Sequence, residues 1–382
     1  MKFLYFFFYC KFIYKKPKKK KIFIFDTALQ HIFLKYFHKK DVEIYNNRIL
    51  ENPSINLFII FEMFKSLDLT INNYKKILLN YVKPNLIITL NDNYESFYKI
   101  KNFYKKGIVV SVQSSWKNNS KLDIFNNIKK KILQLQCDYI FCYNKYSAEM
   151  FKKIIDCKTI NIGSFKSNSF LPDKKKLYDY MLISQFRNTD DKVAYNDNAN
   201  FYDWRFNEQK FLKNLSDYFY YKKKKLYILG SRTLEEEEEK KFFSKIFYKN
   251  NWEFIPQSKN RKTYNIIDQS KVVLCVDSTL GYESISRGNK TAFFSVRNFK
   301  NNNLNNCSFC WPKKISKKGF FWTNSYFLKE ISRIISNIEN VSKRNWNKIY
   351  KKNMKDIIIY DKNNKNFTKI MKKISIPQKR TF

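Results

Sequence analysis

The chain has 382 residues, which is long enough for two domains and excludes a single small module. Apolar residues make up 44% and aromatic residues 18% of it, so the chain can bury packed cores and is not intrinsically disordered. Its 74 Lys and Arg against 33 Asp and Glu give a formal net charge of +41, which suits a polyanionic partner such as nucleic acid, acidic lipid or nucleotide substrates. The alternative is the compositional bias of a genome poor in G and C, because only 6 Gly and 7 Pro occur while Lys, Asn, Ile, Phe and Tyr are abundant.

The cysteines and histidines do not indicate a metal centre. Seven cysteines are scattered without the spacing of a disulfide framework, which favours reduced thiols in a cytosol. Cys307 and Cys310 form a lone C-x-x-C pair, without the further ligands that tetrahedral zinc needs. His31 and His38 both fall in one early predicted helix. The sequence therefore predicts no metal site.

Residues 1–20 combine aromatic side chains with a lysine cluster. This combination suits a segment on an anionic membrane surface, where each lysine contributes about 1 kcal/mol. The alternative is a leader that packs on the protein with its lysines solvated. No A-x-A-type cleavage site is present, and no window approaches the ~18 uninterrupted apolar residues of a spanning helix. We expect a cytoplasmic protein, with peripheral contact to the inner face of the cytoplasmic membrane as an open alternative.

From residue 21 onward, short apolar runs alternate with longer amphipathic stretches, which is the pattern of an α/β fold. Residues 21–166 are predicted to form one doubly wound, Rossmann-like domain. Its predicted strands cover Lys21–Phe25, Val42–Tyr45, Ile55–Ile60, Leu86–Leu90, Ile108–Val112, Tyr139–Cys142 and Thr159–Gly163. Its predicted helices cover Ala28–Phe37, Leu67–Tyr81, Glu95–Tyr104 and Leu122–Leu135, with another from Ser147.

A second domain is predicted over residues 178–340, after a charged linker at 167–177 and before a basic helical tail at 341–382. The acidic run Glu235–Glu239 is predicted to complement a helix N-terminus and not to act in catalysis. We expect two Rossmann-like domains facing a cleft, with ligands at the carboxyl ends of strands. The predicted strands of the second domain include Tyr180–Ile183, Leu226–Leu229, Val272–Val276 and Thr291–Ser295.

The turn after the predicted strand Val272–Val276 carries the clearest chemical signal, with the sequence D-S-T-L-G-Y-E. Small residues such as Ser278, Thr279 and Gly281 let a phosphate approach the backbone at a helix N-terminus. A helix is predicted from about Tyr282 to Arg287, and Glu283, on its first turn, can accept hydrogen bonds from ribose hydroxyls. The alternative is a capped helix in which Glu283 only complements the dipole.

This turn, followed after four residues by Gly288 and a buried strand, resembles the donor-nucleotide element of two-domain (GT-B) glycosyltransferases. Lys290 stands where that family commonly has a proline. An ordered set of segments over residues 18–296 resembles the bacterial surface carbohydrate (lipopolysaccharide or capsule) biosynthesis proteins. Gln113-Ser114-Ser115 stands where that family tends to have Gln-Asn-Gly. The segments are KKKKIFIFD to Asp26, PNLIITLNDN from Pro84 to Asn93, Ser111-Val-Gln113, IGSFKSN from Ile162 to Asn168, ISQFR from Ile183 to Arg187 and DSTLGYE from Asp277 to Glu283.

The resemblance implies a glycosyltransferase, which needs a base for the acceptor and groups that neutralise the departing nucleoside phosphate. Asp92 is the first candidate base because it ends a predicted buried strand, and Asp26 is the second for the same reason. The alternative for each is a loop aspartate that caps the next helix.

The departing phosphate is assigned to Ser278, Thr279 and the backbone through Gly281. Arg187 is the candidate cation, from the strand-end motif that also contains Ser184, and its alternative is a solvated loop residue. Glu283 is assigned to the ribose.

We therefore expect a metal-independent transferase with no cofactor, since the nucleotide-activated sugar is a substrate and a glycan or lipid-linked precursor is the acceptor. A basic nucleic-acid-binding protein is the non-enzyme alternative, although no recognised motif accompanies the charge. A sugar-nucleotide epimerase or hydrolase on the same fold is the third possibility, and it would turn over donor without an acceptor.

Overall fold

The computed structural model divides the chain into two compact units. The first unit contains residues 1–115, 119–169 and 361–382, and the second contains residues 116–118 and 170–360. The structure describes residues 10–27, 29–46, 54–116, 135–173, 175–186, 201–231 (side chains from 206), 235–257, 263–296, 316–374 and 376.

The first unit is built on a parallel sheet with helices on its faces. Its strands are β1 Lys11–Ile13, β2 Ile22–Phe25, β3 Val42–Tyr45, β4 Ser54–Asn56, β5 Leu86–Thr89, β6 Ile108–Val112, β7 Gln136–Cys142 and β8 Asp156–Asn161. Its helices in the same part of the chain are α1 Gln30–Phe33, α2 Leu57–Lys65, α3 Ile71–Val82, α4 Glu95–Tyr98, α5 Ile100–Phe103, α6 Lys145–Lys152 and α7 Phe165–Asn168. Six strands form the main sheet in the order β3-β2-β5-β6-β7-β8, and all its pairs are parallel.

The central strands are buried on both faces, as parallel strands covered by helices require. In β2, each residue of Ile22–Phe25 is at most 2% exposed. Alternate side chains enter two cores, because successive residues of a strand point to opposite faces. Phe23 and Phe25 pack with residues of α2 and α3, whereas Ile22 and Ile24 pack with residues of α1.

Several predicted elements of this unit differ from the structure or lie outside the described residues. The helix predicted over Ala28–Phe37 is helical over Gln30–Phe33, as α1, and the helix predicted over Leu67–Tyr81 begins at Ile71, as α3. The predicted strand Ile55–Ile60 is wrong in its second half, because the Asn56 side chain accepts a hydrogen bond from the Ile59 N–H at 3.2 Å and starts α2. β4 pairs instead with β1 in a separate two-stranded sheet, so the segment from residue 10 contributes a strand. The predicted helix Glu95–Tyr104 is divided into α4 and α5. The predicted helix Leu122–Leu135 lies almost wholly outside the described residues.

The second unit contains a six-stranded parallel sheet in the order β11-β10-β9-β12-β13-β14. These strands are β9 Tyr178–Ile183, β10 Leu226–Leu229, β11 Trp252–Ile255, β12 Ser270–Cys275, β13 Thr291–Phe294 and β14 Trp322–Thr323. The helices are α8 Phe201–Tyr221, α9 Glu236–Ile246, α10 Thr263–Asp268, α11 Thr279–Ser286, α12 Leu328–Asn340 and α13 Lys343–Met354. Numbered within the unit, the order is 3-2-1-4-5-6, which is the order of the Rossmann fold.

The end of the chain returns to the first unit and does not form a separate basic tail. Helix α14, Lys365–Lys373, buries Phe367 and Met371 in the core that also contains Phe165. Before it, the fully buried Asn364 adopts φ 52° and donates to the Phe165 carbonyl at 2.9 Å. The prediction of a separate tail at 341–382 is therefore wrong, because α13 belongs to the second unit and α14 to the first. Although α14 is rich in lysine, it has an apolar face that packs into the first unit.

Candidate functional site

In the first unit, the chain order reverses between β2 and β5, and ligands of open α/β sheets bind outside the carboxyl ends of strands at such a switch point. Asp26 follows β2 there and is 2% exposed. Its Oδ2 accepts a hydrogen bond from Asn91 Nδ2 at 3.3 Å, and its N–H donates to the Tyr45 carbonyl at 2.9 Å. Its φ of 117° is rare for an L-residue and costs about 1–3 kcal/mol, a strain that is concentrated at functional sites.

Asp92, the first candidate base, lies after β5 with none of its surface exposed. Oδ1 accepts two hydrogen bonds from Ser114, from Oγ at 2.8 Å and from N–H at 3.2 Å. Tyr98 donates its hydroxyl to the Asp92 carbonyl at 3.1 Å. Burial, and next the charge of Asp92, raises the pKa of Tyr98, so this phenol stays protonated and acts as a donor. The structure thus brings Asp26 and Asp92 to the carboxyl ends of β2 and β5, the two strands of the switch point.

The turn Gln113-Ser114-Ser115 follows β6 and completes this cluster. Gln113 is 1% exposed, and its Oε1 accepts the Tyr143 N–H at 2.9 Å. Neither Ser114 nor Ser115 has a positive φ, so the turn needs no glycine. The departure from Gln-Asn-Gly therefore leaves an ordered turn, in which Ser114 contacts the candidate base.

In the second unit, the switch point lies between β9 and β12. Gln185, after β9, accepts the N–H of Asp277, after β12, on its Oε1 at 2.9 Å. Ser184 is 3% exposed and donates its N–H to the Leu229 carbonyl at 3.0 Å. The described part of the first singled-out segment, residues 183–186, therefore meets the segment 277–283 at one edge of this sheet.

Glu239, which is not among the residues predicted for the site, adds a buried carboxylate to the same edge. It lies on α9 with none of its surface exposed and accepts a short hydrogen bond from Ser184 Oγ. Ser231, after β10, donates its N–H to both carboxylate oxygens at 3.0 and 3.1 Å. The assignment of the acidic run to the dipole is therefore incomplete. The sequence does indicate this burial, because Glu239 is spaced at i, i+4 and i+8 with Phe243 and Phe247, two buried residues on the same helix face.

The predicted phosphate-binding turn is a capped helix start. Ser278 is the N-cap of α11, and its Oγ accepts the Leu280 N–H at 3.3 Å. The Ser278 N–H points to Cys275 Sγ at 3.1 Å. Thr279 Oγ1 accepts the N–H of Trp116, a residue of the second unit, at 3.1 Å. Both hydroxyls keep a proton that can be donated to a ligand oxygen.

Helix α11 begins at Thr279, earlier than predicted, so Glu283 lies on its second turn and not on the first. Glu283 is 2% exposed, and its Oε2 accepts the Tyr264 hydroxyl at 3.1 Å. Gly281 serves helix packing, because a Cβ built on it would lie 2.8 Å from Cys275 Cβ. A glycine is thus needed at this position for the packing of α11 on β12, whether or not it also lets a phosphate approach the backbone.

The C-terminal end of α11 is fixed by a fully buried ion pair between Arg287 and Asp268. Arg287 Nε donates to Asp268 Oδ1 at 2.9 Å, and its terminal nitrogens donate to the carbonyls of Phe170 at 3.0 Å and Leu171 at 3.1 Å. Asn289 Nδ2 donates to Asp268 Oδ1 at 2.8 Å. The network holds the end of α11 against Phe170 and Leu171 at the start of the second unit.

One predicted site residue and the lone C-x-x-C pair lie in parts of the chain that the structure does not describe. Arg187 lies outside the described residues, as do Cys307 and Cys310. In the described parts of the chain, no group of three or more His, Cys, Asp or Glu side chains is arranged to hold a metal ion. Nor does any described helix have the length and hydropathy needed to span a bilayer.

Comparison with solved structures places the fold in the GT-B class. A wall teichoic acid polymerase, TagF, superposes with a TM-score of 0.51 at 12% identity, over 94% of this chain and 89% of that one. The UDP-GlcNAc 2-epimerase of Methanocaldococcus jannaschii superposes with a TM-score of 0.52 at 11% identity, over 92% and 99%. The epimerase of Neisseria meningitidis, bound to UDP-GlcNAc, gives 0.51 and 12% over the same shares. At such identities the likeness concerns the fold alone.

The two Rossmann-like units and their strand-end turns thus define a protein of the GT-B class, as expected from the sequence. The chain belongs to the family described as "putative O-antigen biosynthesis protein", whose model matches residues 110–375. This match confirms the resemblance to surface carbohydrate biosynthesis proteins. Among proteins with curated descriptions, none matches the sequence.

Proposed function

We propose that this protein is a glycosyltransferase of surface polysaccharide biosynthesis. It transfers a sugar or sugar-like group from a nucleotide-activated donor to a glycan or lipid-linked acceptor. The observation that carries the proposal is the donor-type turn, in which β12 at the switch point runs into a capped helix that holds the buried Glu283. Membership of the O-antigen family supports it, and so does UDP-GlcNAc bound to an epimerase of the same fold.

In this proposal the second unit binds the donor. The Glu283 carboxylate accepts hydrogen bonds from ribose hydroxyls, after exchange with the Tyr264 hydroxyl that it now accepts. Ser278 and Thr279 donate their hydroxyls to the phosphates, and Arg187 neutralises the charge on the leaving group. The donor is a substrate, and the proposal includes neither a metal nor a cofactor.

The first unit supplies the base that deprotonates the acceptor hydroxyl. Asp92 is assigned this role because two hydrogen bonds from Ser114 fix one oxygen and orient the carboxylate. Asp26 is the alternative, which its strained backbone at the switch point supports. The variants Asp92→Asn and Asp26→Asn distinguish the two candidates. Only the variant that removes the base is expected to lower turnover about 100-fold or more while it keeps the affinity for the donor.

The proposal is tested first by thermal shift with UDP, GDP, CMP, ADP and their sugar conjugates. A ligand at 100 times its Kd stabilises the folded state by about 2.7 kcal/mol. We expect one base to give a selective shift, which Glu283→Ala abolishes and Glu253→Ala, on an exposed position of β11, does not. A folded Glu283→Ala variant that still binds the nucleotide with unchanged affinity would refute the role of Glu283 at the ribose.

Two other outcomes would replace the proposal. Release or interconversion of the sugar without an acceptor would identify a hydrolase or epimerase. Absence of any nucleotide shift, together with tight binding to generic RNA and a steep salt dependence, would identify a nucleic-acid-binding protein.

The expected place of action is the inner face of the cytoplasmic membrane, where a lipid-linked acceptor is available. The lysine cluster of residues 15–21 and the aromatic residues before it support peripheral contact with anionic lipid. Deletion of residues 2–9 tests this segment, and we expect weaker binding to anionic vesicles.

A further inference from the structure

Five exposed apolar side chains lie within eleven residues around the connection between α2 and α3. The set is defined as the α2–α3 patch and comprises Phe61 and Phe64 near the end of α2, Leu67 and Leu69 in the connection, and Ile71 at the start of α3. Their exposures are 60, 58, 93, 60 and 55% in that order. A single exposed apolar residue is ordinary, but a cluster of this size marks an interaction surface.

The connection is held in a fixed conformation. Asn73 Nδ2 donates to Ser66 Oγ at 2.8 Å and to the Asp68 carbonyl at 2.7 Å. The Thr70 N–H donates to Asp68 Oδ1 at 2.9 Å. Leu67 adopts φ 52°, a left-handed conformation that is unfavourable for a residue with a branched side chain. The turn therefore keeps Leu67 almost fully exposed at a conformational cost.

Three lysines lie on or next to α2 and α3, the helices that carry the patch. Lys65 Nζ lies 4.6 Å from the Phe61 ring centroid, and Lys16 Nζ lies 5.0 Å from the ring centroid of Tyr81. Lys76 is exposed on α3. The pKa of the Asp68 carboxyl is lowered mainly by the hydrogen bonds from Thr70 and to a smaller extent by the charge of Lys76, so this lysine lies near Asp68.

The acids of this surface are locally paired. Glu62 binds Lys65 at 2.7 Å and accepts the Tyr81 hydroxyl at 3.2 Å, and Asp68 accepts the hydrogen bond from Thr70. With a net charge of +41, the protein as a whole is attracted to an anionic surface.

The patch lies at the same end of the first unit as the candidate base. The Tyr74 ring of α3 lies 6.4 Å from the Tyr45 ring at the end of β3, and Lys75 Nζ lies 5.2 Å from the Phe25 ring centroid at the end of β2. The start of α3 is therefore at the carboxyl ends of these strands, where Asp26 follows β2.

We propose that the α2–α3 patch inserts into the interfacial layer of a bilayer that contains anionic lipid, while Lys16, Lys65 and Lys76 contact lipid phosphates. Apolar side chains flanked by lysines are the chemistry of reversible membrane insertion. Leu67 protrudes almost completely, which suits a fluid phase better than a preformed protein pocket. This docking is independent of the transferase assignment and of the segment at residues 1–9.

The test is co-sedimentation of the full chain with vesicles of phosphatidylcholine, with and without phosphatidylglycerol. We expect binding to the mixed vesicles, which the double variant Phe64→Gln, Leu67→Asn weakens by about tenfold for each anchor. Asparagine tolerates the left-handed conformation, so this variant is expected to keep or raise the Tm. Lys65→Gln with Lys76→Gln should weaken binding to the mixed vesicles and reduce its salt dependence.

Tyr248→Gln is the matched control, because Tyr248 is 71% exposed in the second unit. The proposal is overturned if the wild type binds neither vesicle, if the double variant binds like the wild type, or if only deletion of residues 2–9 removes binding. A wild-type dimer that the double variant dissociates, without lipid binding, would assign the patch to a second copy instead. The nucleotide thermal shift of the double variant should equal that of the wild type, which separates failure of docking from failure of the proposed transferase function.

Discussion

The Ser114 hydroxyl donates a hydrogen bond of 2.8 Å to Oδ1 of Asp92, the same oxygen that accepts the Ser114 N–H. Two donors on one oxygen orient a carboxylate that has no exposed surface, and bonds to a charged group are stronger than neutral ones. Ser114 occupies the position of the asparagine in the Gln-Asn-Gly turn of the resembled family. In this protein a serine hydroxyl therefore makes the hydrogen bond to Asp92.

Ser114→Ala is predicted to reduce turnover more than it reduces donor affinity. The variant keeps the N–H bond but loses the hydroxyl bond, at a cost of about 1.5–3 kcal/mol if the carboxylate cannot reorient. Donor turnover should fall about tenfold or more, with an unchanged nucleotide-induced shift. Ser115→Ala is the control, because Ser115 makes no hydrogen bond to Asp92 among the described residues. Equal kinetics of the two variants would contradict a positioning role for Ser114.

Glu239→Gln is predicted to destabilise the second unit by about 2–4 kcal/mol. The carboxylate accepts from Ser184 Oγ and, through both oxygens, from the Ser231 N–H, so an amide would place a donor against a donor. Because Ser184 and Ser231 follow the neighbouring strands β9 and β10 at the proposed donor site, nucleotide affinity should fall as well. Chemical denaturation measures the stability, and the exposed Glu238→Gln is the matched control. A variant as stable as Glu238→Gln would show that Glu239 is not required.

The strands of both sheets could be predicted from the sequence where an apolar run is buried on both faces. The prediction Leu226–Leu229 agrees with β10 residue for residue, and β2 agrees to within one residue. The edge strands of the second sheet were missed, since β14 has only two residues and β11 is partly exposed, whereas β3, at an edge of the first sheet, agrees with its prediction Val42–Tyr45. Such short strands owe their conformation to the neighbouring strand and leave little pattern in the sequence.

The candidate site was only partly predictable, because its contacts join residues far apart in the chain. The strand-end positions of Asp26 and Asp92 follow from the α/β pattern, but the contact of Asp92 with Ser114 depends on the pairing of β5 with β6. The buried pair of Arg287 and Asp268 was missed for the same reason. Charged residues are mostly exposed, so a sequence pattern does not show which ones are buried by a partner.

Gly281→Ala is predicted to lower stability and, with it, nucleotide affinity, because the proposed nucleotide-binding residues Ser278, Thr279 and Glu283 belong to the start and body of α11. The added Cβ would lie 2.8 Å from Cys275 Cβ and 3.3 Å from a ring carbon of Phe293, so α11 must move away from the sheet. Overpacking of this kind costs about 1–3 kcal/mol. Thermal denaturation with and without the selected nucleotide measures both effects. A variant with wild-type Tm that no longer binds nucleotide would show instead that Gly281 is needed for phosphate approach.

Lys75→Met is predicted to stabilise the protein at neutral pH by an amount that disappears in alkali. Lys75 is 5% exposed, and burial lowers its pKa from the ordinary 10.5 to about 8. Between these values the unfolded chain binds more protons than the folded one, so the stability of the wild type rises with pH across this window. Below pH 8 the folded state holds a desolvated ammonium, which costs at most about 3 kcal/mol and is partly offset by the Phe25 ring.

Urea denaturation at pH 7 and pH 9.5 should show a gain for Lys75→Met that shrinks at the higher pH. The neighbouring Lys76→Met, at an exposed position, should change little at either pH. A constant gain at both pH values would mean that the methionine acts by apolar packing and that Lys75 titrates normally.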